Sequence, residues 1–346
     1  MDLRTCVPYR RKTLTVDEVI GKLKSEGLNF SNENEAKSIL QKTTYHRFKF
    51  YLHPFLISLD PKDKPKRFKK DIDFSHALNL YSFNKELSNL LLAYIAELEV
   101  YLRKSLDNFF ITNGKGYFWY LDDGFIFQPS LAQKRSLIHK DSNYQTPLSK
   151  IQSIRKKLKG QFLKNQESHN VHYKNKYKNH EHTCFEDLPP FWHISEFMTL
   201  GQICDFIESI NIGLFIQRSR VNALDNLAKE FGATKFQTLI TWINGLREIR
   251  NRCAHHNRVF NANYAAVNLK DIKLQFPSPK PNRLYSILIA LDAMYFQINK
   301  VHINDDIAQL IDKYQVDSHL YSCGFPNNWK EDSYWRGNIE IVKDTA

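Results

Sequence analysis

Residues 234 to 258 constrain this 346-residue chain more than any other stretch. At about 100° per residue, Leu239, Trp242, Leu246, Ile249 and Cys253 share one side. That spacing predicts an amphipathic helix with a core-facing seam. The opposite side carries Arg247, Arg250, Asn251, Ala254, His255 and Arg258 within an arc of roughly 140°. Glu248 is the only acidic residue after Thr238 in this stretch. A solvated helix face usually mixes charges of both signs, so this one points to an anionic partner.

Helical spacing recurs along the chain. Residues 14 to 25 read as a helix with Thr15 as its cap and Gly27 as its end. Residues 33 to 42 follow, with Ser31 as cap. Residues 74 to 111 carry Leu80, Leu87, Leu91, Tyr94, Leu98, Tyr101 and Leu102 on a helical period. Further helices are predicted at 192–210, 216–230 and 283–300, with a shorter one after Asp305. Only 12 glycines and 12 prolines occur, which argues against a loop-rich β architecture. The expected fold is all-α. An N-terminal helical segment spans 1–60, a helical core spans 71–300, and a C-terminal helix with an aromatic tail spans 301–346. Residues 60 to 70 read as a mobile basic connector and a first boundary.

Charge narrows the class of partner. The chain has 49 basic and 37 acidic residues, a formal net charge of +12. Residues 134 to 182 hold 12 of the basic and only 3 of the acidic residues, and form a long basic insertion. Such an excess draws a polyanion, because each neutralised phosphate releases a counterion. The insertion reads as helical to about 166 and as a long exposed loop beyond. Lys156, Lys157, Lys174, Lys176 and Lys178 are candidate phosphate contacts. Tyr173 and Tyr177 are candidate stacking platforms for bases. His169, His172, His180, His182 and Cys184 fit no structural zinc spacing, so no metal and no cofactor is expected. No Gly-rich phosphate loop and no helix-turn-helix pattern occurs, although charge alone leaves DNA open as a ligand.

The five cysteines, Cys6, Cys184, Cys204, Cys253 and Cys323, are scattered and form no CxxC pair. That suits a reducing compartment. Residues Met1 to Arg11 have no apolar signal core, and no run reaches the roughly 20 apolar residues of a membrane span. A cytoplasmic protein without a membrane partner is expected.

The polar face of the 234–258 helix suits phosphodiester cleavage in RNA. His255 can move the proton of a ribose 2′-hydroxyl or of the leaving oxygen. Arg250 can hold the phosphate and stabilise the charge that develops, and Asn251 can orient either group. No metal is required, and the products would be a 2′,3′-cyclic phosphate and a 5′-hydroxyl. The same residues can equally grip an RNA backbone without cutting it, and both readings stand at this point. Arg247 and Arg258 are the flanking phosphate holders. Positions i and i+5 lie about 140° apart on a helix, so Arg250 and His255 diverge. A site using both is easier to build from two facing copies, which predicts a homodimer. Glu99 and Arg103 are an i,i+4 pair, read either as a salt bridge or with Glu99 holding an active-site arginine. His256 falls at the edge of the apolar seam and reads as a supporting histidine.

The run from Leu246 to Asn261, LREIRNRCAHHNRVFN, resembles the signature of the AbiD/AbiF-type abortive infection proteins of bacteria. Within it, Arg250-x4-His255 with Asn251 is similar to the R-x4-6-H motif of HEPN ribonucleases. Tyr45 to Phe55, Leu80 to Leu87, Ile95 to Arg103, Pro189 to Glu196 with Gly201, and Gly324 to Trp329 resemble further segments of that family in the same order. The resemblance spans roughly residues 14 to 330. It implies a HEPN-like helical core, RNA as ligand, a role in anti-phage defence and dimerisation. It also implies kinship with the HEPN modules of RNA-targeting CRISPR effectors, and a small structured non-coding RNA as a partner. Two departures stand out. The 134–182 insertion is longer and more basic than the family pattern, and Tyr45-His46 stands where Tyr-Tyr is usual.

Overall fold

The computed structural model describes residues 12–60, 62–141, 143–216 and 222–337. Cys6, the Met1–Arg11 segment, the start of the expected 216–230 helix and the end of the tail lie outside them. Among the described residues the fold is all-α, and β pairing is limited to isolated bridges. No helix there is long and apolar enough to cross a membrane.

The chain divides into two compact units. The first comprises residues up to Glu86 together with 309–319. It contains α1 (Val16–Ser25), α2 (Glu33–Lys42), α3 (Tyr45–Leu52) and the start of α4 (Phe74–Thr112). Thr15 caps α1 as expected, in a capping box with Glu18. The cap of α2 is Asn32, not Ser31. Ser31 is drawn away because its amide and hydroxyl both donate to Asp73, at 2.7 and 2.6 Å. The aromatic stretch after residue 44 is itself helical, and Phe48 is fully buried against Phe74 at 4.7 Å. The basic connector is tied at its end. Phe68 is buried and its amide donates to the Glu26 carbonyl at 2.9 Å.

The second unit comprises 87–308 and the residues after 319. The rest of α4 is followed by α5 (Leu131–Lys140), α6 (Pro147–Lys164) and α7 (Ser168–Lys176). The expected loop after 166 is therefore partly helical. Its local reason is that Asn170 and Asn179 are buried and bonded, which fixes the chain on both sides of Tyr173 and Tyr177. The expected 192–210 helix is broken into α8 (Phe191–Ile194), a 3-10 turn, and α9 (Leu200–Ser209). Thr199 and Gln202 form a capping box that starts α9 afresh. The described part of 216–230 is helical only in α10 (Leu224–Lys229). There Asn222 Oδ1 accepts from the Leu224 amide at 3.1 Å, just before the shorter helix begins.

At the centre lies α11 (Phe236–Ala254), packed against α9, α10 and α12 (Leu284–Asn299). The seam Leu239, Trp242, Leu246, Ile249, Cys253 is buried as predicted. Every residue of α12 from Leu284 to Tyr295 is buried as well. At Gly245 a Cβ would stand 2.8 Å from both Ile287 and Val267, so glycine sets how closely α11 is approached. After α13 (Asn304–Tyr314), Phe325, Trp329, Tyr334 and Trp335 close over Tyr285.

Candidate functional site

The site is built on the last turns of α11, and the helix ends earlier than the sequence suggests. Ala254 is its last residue and His255 its cap. The His256 amide donates to the Cys253 carbonyl at 2.9 Å, and the Asn257 amide to the Arg252 carbonyl at 2.7 Å. His256 adopts φ +53. This is a Schellman end with a histidine where glycine is usual. Consequently His256 is exposed instead of flanking the seam, and Arg258 lies beyond the helix, off the polar stripe.

Arg250 turns toward α4. Its Nε donates to Glu99 Oε1 at 3.0 Å, while Glu99 Oε2 pairs with Arg103 at 3.6 Å. Glu99 thus holds two guanidinium groups at once. Arg103 also donates to the Met198 carbonyl at 3.1 Å, which the break before α9 leaves without a helical partner. The Arg250 side chain remains 34% exposed, and its terminal nitrogens make no hydrogen bond within the described residues. A carboxylate on one edge of a guanidinium fixes its plane and leaves the other edge to an oxyanion.

His255 and Asn251 face elsewhere. Both are exposed and line a shallow cavity of about 490 Å³ with Glu248, Arg252, Asn257 and Asn263. Arg252 anchors this rim. It donates to the carbonyls of Arg258 and Asn263, at 3.3 and 3.0 Å, and lies 5.1 Å from the Tyr264 ring. Glu248 accepts from the Ala265 amide at 2.9 Å. Arg250 is not among the residues that line the cavity, and its Nε is engaged by Glu99. Cys253 is no nucleophile here, because burial pushes its thiol up to about 11.

Arg247 points to α9, where it lies 3.7 Å from Asp205, which also pairs with Lys150 at 2.6 Å. Asp205, Asn257 and Asn263 had no mark in the sequence. Asp205 lies in a separate stretch and meets α11 through packing, whereas Asn257 and Asn263 sit in the chain directly after α11.

The basic insertion meets this surface through Lys150, which shares Asp205 with Arg247. Lys156 and Lys157 are exposed on α6. Lys174 is engaged with the carbonyls of Leu163 and Asn165, at 3.2 and 2.6 Å. Lys178 lies 3.9 Å from Glu186, and Lys176 sits over the Tyr177 ring at 5.4 Å. Tyr173 is half-buried and meets Tyr177 at 5.3 Å. Among the described residues no group of three His, Cys, Asp or Glu side chains is placed to hold a metal ion.

The family model described as Abi-like protein matches residues 38–261. The match runs from α2 to just past the end of α11, and so includes Glu99, Arg103 and Arg250 to His255. No curated protein and no solved structure matches the chain.

Proposed function

The chain belongs to the Abi-like family, an abortive-infection class, and from that premise we propose that it is an RNA-binding phage-defence protein that cleaves RNA without a metal. The observation that carries this reading is the Glu99–Arg250 pair. It orients a guanidinium with an uncommitted edge, a few residues before the exposed Asn251 and His255. Arg250 holds the phosphate and offsets charge in the transition state. His255 moves the proton, and Asn251 fixes the ribose or the phosphate. The net charge of +12 supplies the long-range attraction for RNA.

Because Arg250 and His255 part company within one chain, cleavage takes place between two copies, with Arg250 of one beside His255 of the other. The test uses the native protein and the Arg250→Ala and His255→Ala forms on total RNA in EDTA. Cleavage by the native protein alone is expected, with 2′,3′-cyclic phosphate ends. Equal cleavage by the His255→Ala form removes His255 as the proton carrier.

The divergence of the two side chains also favours a second reading, in which a single chain grips a small structured RNA and does not cut it. Extraction of the nucleic acid that co-purifies separates the two. One defined, intact RNA with no cleavage in EDTA supports the gripping protein.

A further inference from the structure

A second concavity lies on α7 and α8, away from the residues assigned above to cleavage. It measures about 900 Å³, within the usual range of ligand pockets. Its floor is His193, 7% exposed, whose Nε2 lies 2.5 Å from Oδ1 of the fully buried Asn170. Asn170 donates in turn to Asn165 Oδ1 at 2.8 Å. The floor is therefore fixed, and burial lowers the His193 pKa from its ordinary value. The walls are Tyr177 and Trp192, 46% and 58% exposed, with His169 and His172 beside them. Large rings left this exposed around a rigid cup cost solvation unless something covers them. Glu196 places a carboxylate on the rim. Lys176 does not line the concavity but places a cation beside it, 5.4 Å from the Tyr177 ring.

We propose that this aromatic cup binds one unstacked guanine of single-stranded RNA. The inference rests on the reading of the chain as an RNA-binding protein. Base faces stack on Tyr177 and Trp192 without regard to sequence. Identity is read at Glu196, because an ionised carboxylate only accepts. Guanine presents two adjacent donors, N1–H and N2–H. Adenine and cytosine set an acceptor beside their amine, and uracil flanks its single donor with two carbonyls. Lys176 meets the phosphate next to the base. An aliphatic ligand would use the ring faces but not the carboxylate of Glu196, and a basic peptide would be repelled by the insertion's excess of cations.

The test measures the affinity of the full chain for short labelled ribose-phosphate strands by fluorescence anisotropy. Each strand carries a single G, A, C or U, or no base, on an otherwise abasic backbone. The G strand is expected to bind roughly tenfold tighter than the baseless strand. Trp192→Ala and Tyr177→Ala, both at exposed positions, bring the G strand to the baseless level. Glu196→Gln equalises G and A. Equal affinity of the native protein for the G and baseless strands overturns the cup while leaving RNA binding through phosphates intact. Failure to bind any strand overturns the RNA reading itself. Binding of free GMP, lost in Trp192→Ala, together with no binding of strands, overturns RNA as the source of the base.

Discussion

Glu99 is the residue on which the α11 surface turns. It is largely buried, and its two oxygens are divided between Arg250 and Arg103. Glu99→Gln keeps the shape and removes the charge, so Arg250 loses its charged anchor. RNA cleavage by the Glu99→Gln form is expected to fall about tenfold or more, a loss of at least ~1.4 kcal/mol in the transition state. Arg250→Lys is expected not to restore activity, because an ammonium cannot bind a carboxylate and a phosphate on two edges of one plane. Single-turnover cleavage rates check both, and a Glu99→Gln form as fast as the native protein overturns the assignment. His256 makes a different prediction. Its φ of +53 strains a side chain that is exposed. His256→Gly should raise stability by about 1 kcal/mol. The thermal midpoint reads this, and a lower midpoint contradicts it.

At the scale of elements, α2 and α4 are joined through one carboxylate. Partial burial pushes the Asp73 carboxyl up, but bonds from Ser31 and Ser75 outweigh it and hold it at about 2. The folded value lies below the unfolded one, so this contribution is fully present above pH ~4 and is lost as pH falls through about 2. Allowing for solvent screening, it amounts to about 1 kcal/mol. Urea midpoints of the native and Asp73→Ala forms should differ by a constant amount above pH ~4 and converge below it. A gap unchanged at pH ~3 contradicts the linkage. The same elements show what the sequence makes legible. Period marks α1, α4 and the α11 seam, because burial of one face writes itself into spacing, while α12 is marked by its continuous apolar run, since it is buried all round. Breaks are written in other terms. The restart at Thr199 depends on a capping box inside an apolar pattern, and the end of α11 depends on a left-handed histidine that no composition rule marks. The site follows the same division. Arg250, Asn251 and His255 stand out in the run itself. Glu99 is marked by its i,i+4 pairing with Arg103 as a carboxylate able to hold an arginine, but that Arg250, 151 positions away, is the arginine held follows only from packing, and Asn263 joins only through the loop after the helix.

At the scale of the molecule, the proposed cleavage makes a claim about assembly. Two copies facing through α11 would contain two equivalent sites, each with an arginine from one chain and a histidine from the other. Equal mixing of the Arg250→Ala and His255→Ala forms should then restore cleavage. Half of the dimers are mixed and each carries one intact site, so about a quarter of native activity is expected. Mixtures as inactive as their components contradict the shared site. Sedimentation of the native chain as a monomer at assay concentration contradicts it separately.

The Schellman end of α11 also bears on the entropy of binding. A helix that frays at its last turn leaves its final side chains on a moving backbone, and ordering each such residue costs about 1–2 kcal/mol. Here the terminal carbonyls are already taken by the amides of His256 and Asn257, and Arg252 ties down the chain beyond. His255 and Asn251 therefore stand on a backbone whose freedom was surrendered during folding. An incoming RNA has only two side-chain torsions of His255 to still, and more of its contact energy remains for the reaction.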